Sequence, residues 1–194
     1  MEDLSLHLMD IAQNSVAAGA DHITLIIKTE GNPCKLICEI VDNGRGMDAD
    51  FLKKVTDPFK TSRTTRKVGL GLPLLKQSAE MAGGTLSIES EPFKGTKVRA
   101  VFCVDHMDRI PLGDVSGTIR MLITANPEKT WIIQFVSSKD VFSLNTDDIK
   151  LQLGGVPIDH CEVGKWIEDY MNEGIKKVFG GVLDEILRGI EGNS

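Results

Sequence analysis

No apolar run in this 194-residue chain approaches the roughly 18 residues of a membrane span. The N-terminus carries acids where a secretory signal needs positive charge. Cysteines are few: Cys34, Cys38, Cys103 and Cys161, with no second close pair and no nearby histidine to complete a zinc pattern. They are expected to be ordinary thiols of a reducing compartment. A long basic run is missing too, and the formal net charge of −6 argues against nucleic acid as a partner. The phosphate-loop signature, GxxxxGKS or GxxxxGKT, does not occur, and neither does the protein-kinase motif set. These absences leave a soluble, cytoplasmic protein without a membrane span as the expectation.

With 41% apolar residues the chain resembles an ordinary globular protein, long enough for one domain or two small ones. Its charge is unevenly placed. Residues 1–104 carry 13 Lys/Arg and 13 Asp/Glu; residues 105–194 carry 9 and 15. The whole acidic excess lies in the second half, so the halves are read separately.

In the first half, Leu4, Leu8, Ile11, Ala12, Ser15 and Val16 recur at helical spacing over 3–18, and Gly19 closes the helix. Residues 22–29 and 35–42 read as a strand hairpin. A short helix is expected over 48–55, and residues 57–68 should be loop. Gly69-Leu70-Gly71-Leu72 opens a helix that ends at Gly83-Gly84, and strands follow over 85–90 and 96–104. This order predicts an α+β fold, a two-layer α/β sandwich with helices on one face of a mainly antiparallel sheet. In the second half, 105–116 reads as a linker. Residues 117–125 and 130–137 read as strands of a hairpin, Asn145 to Asp148 as a helix start, and Asp159 onward as a longer helix with an apolar stripe. The expected division is thus 1–104, a linker 105–116, and a small acidic α/β appendage 117–194.

Four blocks stand out by their order. Asn14 lies in the first helix with Asp10 one turn before it. Asp42-x-Gly44-x-Gly46 follows the second strand, Gly69-x-Gly71 opens the later helix, and Gly95-Thr96 begins the last strand of this half. Singly, each suits an ordinary turn or junction. Together, over about residues 4–104, they resemble the asparagine box and three glycine boxes of the GHKL ATPases. These include the DNA gyrase B subunit, heat-shock chaperones of the Hsp-ninety class, histidine kinases and mismatch-repair ATPases. The stretch from Gly69 to Phe102 looks like the end of a histidine-kinase ATP-binding domain, and Asp57-Pro58-Phe59-Lys60-Thr61 resembles the block before its nucleotide lid. The resemblance implies the Bergerat ATP-binding fold.

It also implies ATP with Mg2+ as ligands. An adenine amine would donate to the Asp42 carboxylate. Gly44 and Gly46 would let the backbone approach the base beside Met47, and Thr96 would support it through a water. The helix start at Gly69, Leu70, Gly71 and Leu72 offers N–H groups and a positive dipole end to phosphate. Lys60, Thr61, Ser62 and Arg63 supply a basic, hydroxyl-rich loop with Arg66 and Lys67, which otherwise reads as a solvated loop. Asn14 matches the asparagine whose amide oxygen contacts magnesium. Asp10 occupies the position of a general base that is glutamate in the hydrolysing branches. Being one methylene shorter, it is read as a base, as an orienter of metal or water, or as structural.

The chain begins directly at the asparagine box, leaving no room for a phosphoacceptor hairpin, and His7 reads as an ordinary helix residue. A separate protein is therefore expected as partner, either a phosphoacceptor, as for histidine and anti-sigma kinases, or a regulated complex; a second copy of the chain is another candidate. The leading expectation is γ-phosphoryl transfer from Mg-ATP to that partner. The rivals are an ATP-driven conformational switch and a nucleotide sensor without turnover.

Overall fold

The computed structural model describes residues 3–32, 34–55 and 71–180. Helix α1 (Leu4–Ala17) starts at Asp3, whose carboxylate accepts the Leu6 N–H at 3.1 Å and so satisfies one of the free donors of the first turn. Leu4, Leu8, Ile11 and Ala12 form its buried stripe. Strands β1 (His22–Glu30) and β2 (Lys35–Asp42) pair antiparallel as the hairpin expected from their alternation. Ile23, Leu25 and Ile27 lie opposite Asp42, Ile40 and Cys38, and all six are buried. Burial pushes the Cys38 thiol up to about 12, so it stays protonated at neutral pH and is no nucleophile. Next come α2 (Ala49–Val55), α3 (Gly71–Met81), β3 (Thr85–Glu91) and β4 (Gly95–Cys103), with β4 pairing antiparallel to both β2 and β3.

The second half departs from expectation in its first element. Residues 117–125 were expected as a strand and belong to helix α4 (Val115–Ala125). The Asp114 side chain accepts the Gly117 N–H at 2.9 Å and starts the helix, and Val115, Ile119, Leu122 and Ile123 bury one helical face. β-branched residues suggested a strand, but capping and tertiary packing override that propensity. The hairpin expected from this pair is absent as well. Strand β5 (Thr130–Val136) runs parallel to β1, from His22 opposite Thr130 to Lys28 opposite Val136. Its antiparallel neighbour is β6 (Val141–Asn145), a five-residue strand not foreseen in the sequence. Helix α5 (Thr146–Gln152) is capped by Asn145 as expected. In α6 (Cys161–Phe179) the expected stripe of Val163, Ile167, Tyr170, Met171, Ile175 and Val178 is buried except at Tyr170, which is 41% exposed.

The result is one mixed six-stranded sheet in the order β3-β4-β2-β1-β5-β6. Helices α3, α1, α4 and α6 touch in that sequence, each packing on the next. The fold is α+β. The expected linker is built into this body: the Leu4 and Ser5 N–H groups donate to the Pro111 and Leu112 carbonyls, both at 2.9 Å, and Arg109, 2% exposed, donates to the Val104 carbonyl at 2.8 Å. One hydrophobic cluster contains Leu8 and Leu25 of the first half together with Ile119, Trp131 and Ile167 of the second.

His7 sits inside the α1–α3 interface, 1% exposed, with Nε2 3.3 Å from the Ser78 hydroxyl and Nδ1 lacking a partner among the described residues. Burial, the largest cause, holds its imidazole below the ordinary value of 6.5. A lowered folded pKa means that the unfolded chain binds the proton first. Stability should therefore fall as pH drops below about 6.5. Urea titrations from about one pH unit above the ordinary histidine pKa to about one below it should show this slope in the parent, and His7→Gln should flatten it. A second expectation concerns Gly174, where an added Cβ would meet the Phe142 ring at 2.4 Å. That ring is fixed between Phe135 and Tyr170. Gly174→Ala should cost roughly 1–3 kcal/mol by overpacking, read as a lower urea midpoint at unchanged m.

Candidate functional site

Asp42 ends β2 with only 8% of its surface exposed. A buried carboxylate needs donors, and it has two among the described residues. The Ser15 hydroxyl donates to Oδ2 at 2.7 Å and the Gly44 N–H donates to Oδ1 at 2.9 Å. A carboxylate offers about four acceptor positions, so capacity remains for a ligand. Asp42 lines a cavity of about 400 Å3 whose walls include Ile11, Met47, Phe51, Val55, Leu72 and Val98. An apolar slot with one fixed acceptor suits a planar ring bearing an N–H donor.

The glycine loop after Asp42 is wedged against the β3–β4 turn. Gly46 has φ +63, and a Cβ there would lie 1.9 Å from the Glu91 carbonyl oxygen. Gly95 has φ +98, and its Cβ would lie 1.8 Å from the Asp42 carbonyl oxygen. Only glycine fits either place. Gly44 is needed for room instead, since its Cβ would meet the Ala18 Cβ at 2.9 Å. Thr96 stands opposite Asp42 on β4 and lines the cavity. Its hydroxyl is 2.9 Å from that of Ser90, which also accepts the Met47 N–H and donates to the Gly95 carbonyl, both at 2.9 Å. Ser90 has one proton and directs it to that carbonyl, so Thr96 is the donor of the pair and keeps acceptor capacity toward the cavity.

At the other end, Asn14 lines both this cavity and a second of about 340 Å3, shared with Asp10, Gln13, Ala17 and Gly71. Asp10 lies over the start of α3, where a Cβ on Gly71 would stand 3.0 Å from the Asp10 Cβ and 3.2 Å from Oδ2. The structure thus brings together Asp10, Asn14, Asp42, Gly44, Gly46, Met47, Gly71, Leu72 and Thr96. Lys60, Thr61, Ser62, Arg63, Gly69 and Leu70 lie outside the described residues, as do Thr64, Thr65, Arg66 and Lys67. Sequence reasoning missed Ser15 and Ser90, which orient Asp42 and Thr96. Ser15 had a signal: it is a polar side chain inside the buried stripe of α1. Among the described residues no group of three His, Cys, Asp or Glu side chains could hold a metal, and no helix is long and apolar enough to cross a membrane.

Residues 2–106 match the family model described as "Histidine kinase-, DNA gyrase B-, and HSP90-like ATPase". The chain belongs to this family. It is an ATP-binding domain of the histidine-kinase-like ATPases, and the α+β sheet is their fold. Sporulation kinase D of Bacillus subtilis is 34% identical over 91 residues, which cover 47% of this chain and 18% of that protein. The sensor histidine kinase YxdK of the same organism is 33% identical over 72 residues, covering 35% of this chain and 22% of that one. The chain therefore spans about a fifth of the length of these relatives. The crystal structure of the N-terminal domain of a DNA repair protein has the same fold across 95% of this chain and 59% of its own, with a TM-score of 0.53 and 17% identity. That likeness extends past residue 106 and takes in the second half.

The tight glycine loop of this family member makes a clear expectation. Gly46→Ala should destabilise the chain by more than about 2 kcal/mol, because φ strain and a backbone clash add together. Chemical denaturation of the variant against the parent measures it.

Proposed function

We propose that the chain binds ATP with magnesium and passes the γ-phosphoryl to a separate partner protein. The observation that carries this reading is the Asp42 carboxylate, fixed by Ser15 and Gly44 in the wall of a largely apolar cavity that adjoins Asp10, Asn14 and the start of α3. Asp42 accepts the adenine amine, and Met47 and Leu72 flank the base. Thr96 reaches the base through a water. The triphosphate then runs past Asn14 toward the N–H groups of Gly71 and Leu72 and the positive end of α3.

A phosphate beside the Asp10 carboxylate needs a cation between the two charges. The Asn14 side-chain amide has no hydrogen-bond partner among the described residues and lines both cavities, so its oxygen fits a hard-cation ligand. Asn14 would hold magnesium there, and the ion would supply neutralisation of charge on the transferring group. In the transfer, the acceptor atom of the partner bonds to the γ-phosphorus as the bond to the bridging oxygen breaks, and ADP leaves with that oxygen. Asp10 takes the acceptor's proton or orients the group that does. His7 is buried and accepts no phosphoryl from this site. The acidic second half offers a surface to a basic partner.

A second reading, an ATP-driven switch, is favoured by one contact: α1, which carries Asp10 and Asn14, packs directly on α4 of the second half. Closure on nucleotide then moves that half or pairs two copies of the chain.

Asp42→Ala should lose roughly 1.5–3 kcal/mol of ATP binding, on the order of 10–150-fold in affinity, by calorimetry with circular dichroism as the folding control. Equal affinity would remove the adenine assignment. Asn14→Ala should abolish magnesium-dependent turnover and keep part of nucleotide binding. With γ-labelled ATP, label on a candidate partner supports transfer. Free phosphate together with nucleotide-dependent dimerisation selects the switch.

A further inference from the structure

Both cavities share the wall made by Ala17, at the end of α1, and the larger one adds Ala18 from the turn that leads into β1. This turn is gripped from two sides. On the cavity side the Arg45 N–H donates to the Ala18 carbonyl at 3.0 Å, and the Asn43 Oδ1 accepts the Asp21 and His22 N–H groups, each at 2.9 Å. The glycine loop is thus fastened to the turn. On the far side the grip comes from the second half. The Lys129 ammonium donates to the Ala20 carbonyl at 2.7 Å, and the Thr130 N–H donates to the Asp21 carbonyl at 2.8 Å.

Lys129 is not a loose surface lysine. Its side chain is 11% exposed, and its own carbonyl is held at 2.9 Å by the Lys150 ammonium, which also lies 3.5 Å from Asp147. Asp147 in turn accepts the Thr130 hydroxyl at 2.8 Å. Ala20 is fully buried, so its carbonyl has no water to replace the ammonium.

We propose that Lys129, which lies beyond the family match, is a positioning residue for the nucleotide site: it holds the α1–β1 turn against the glycine loop and so keeps the cavity wall in its binding position. This rests on the ATP reading given above. Without the ammonium, the turn keeps its own backbone bonds but gains freedom at Ala20, and nucleotide must meet the ordering cost on binding. Linkage makes the effect reciprocal, so bound nucleotide quiets the Lys129 loop.

The test uses the whole chain as parent, Lys129→Met, Lys129→Arg and, as a control, Arg120→Met, which cuts the Arg120–Glu168 pair between α4 and α6 away from the turn. ADP affinity is measured by calorimetry well below each melting midpoint. Lys129→Met should weaken ADP binding about three- to tenfold, about 0.6–1.4 kcal/mol. Lys129→Arg should restore it to within about twofold, since it keeps a cationic donor on a long stem. Arg120→Met should lower the melting midpoint without changing ADP affinity. In hydrogen exchange, ADP should slow the amides of Asn126 and of Glu128 to Trp131 in the parent and not in Lys129→Met. Parental affinity in Lys129→Met, an equal loss in Arg120→Met, or an unchanged exchange rate in that loop would each overturn the proposal while leaving the ATP site standing. A parent that binds no ADP overturns the ATP reading, and the proposal with it.

Discussion

A carboxylate taken out of water at the end of a strand is the constraint around which this molecule is arranged. Asp42 is ionisable and almost buried, so its oxygens need fixed donors. One comes from Ser15 on the inward face of α1 and one from the Gly44 N–H. The first sets the height of α1 over the sheet. The second requires the chain to turn back at once after β2. That turn then presses Gly46 onto the Glu91 carbonyl and Gly95 onto the Asp42 carbonyl, where any side chain would clash. The donors that hold Asp42 therefore also fix one wall of the cavity.

β1 has a second duty. Its antiparallel edge faces β2 and the ligand-facing half, and its parallel edge faces β5. A strand paired on both sides cannot shift without moving every side chain across the sheet. The halves of the chain are thus joined through backbone hydrogen bonds along β1, and α1 is clamped to α4 above it. The described part of the acidic second half belongs to the same body as the Asp42 cavity. It leaves that cavity free for an anion, because the cavity walls are largely apolar and the start of α3 is a positive dipole end.

The first half was legible because its signals agreed with one another. The apolar stripe of α1 has helical spacing, β1 and β2 alternate, and Gly19 punctuates the helix as its freedom at positive φ allows. Asp10, Asn14, Asp42 and Thr96 were singled out as residues, and the fold brings them to one pair of adjoining cavities. Agreement failed at residues 117–125. There Thr118, Ile119, Ile123 and Thr124 favour a strand by composition, while the Asp114 cap and the packing on α1 and α6 favour a helix. Composition is the weaker term, because burial of a whole helical face outweighs a few tenths of a kcal/mol per residue. β6 escaped notice because it is only five residues long: Phe142 and Leu144 alternate with Ser143 and Asn145, too short a run to stand out.

By itself the sequence determined the element types of residues 3–104 that the structure describes and the positions of the turn glycines, since those depend on side chains near one another along the chain. Tertiary structure alone decided that β5 pairs with β1, that Ser15 and Ser90 orient Asp42 and Thr96, and that Lys129 reaches the α1–β1 turn from 109 residues away. The physical reason is range. Turns, caps and periodicity act within a few residues, whereas strand pairing and a lysine ammonium finding a distant carbonyl are contacts between distant segments, fixed only when the whole sheet closes around its core.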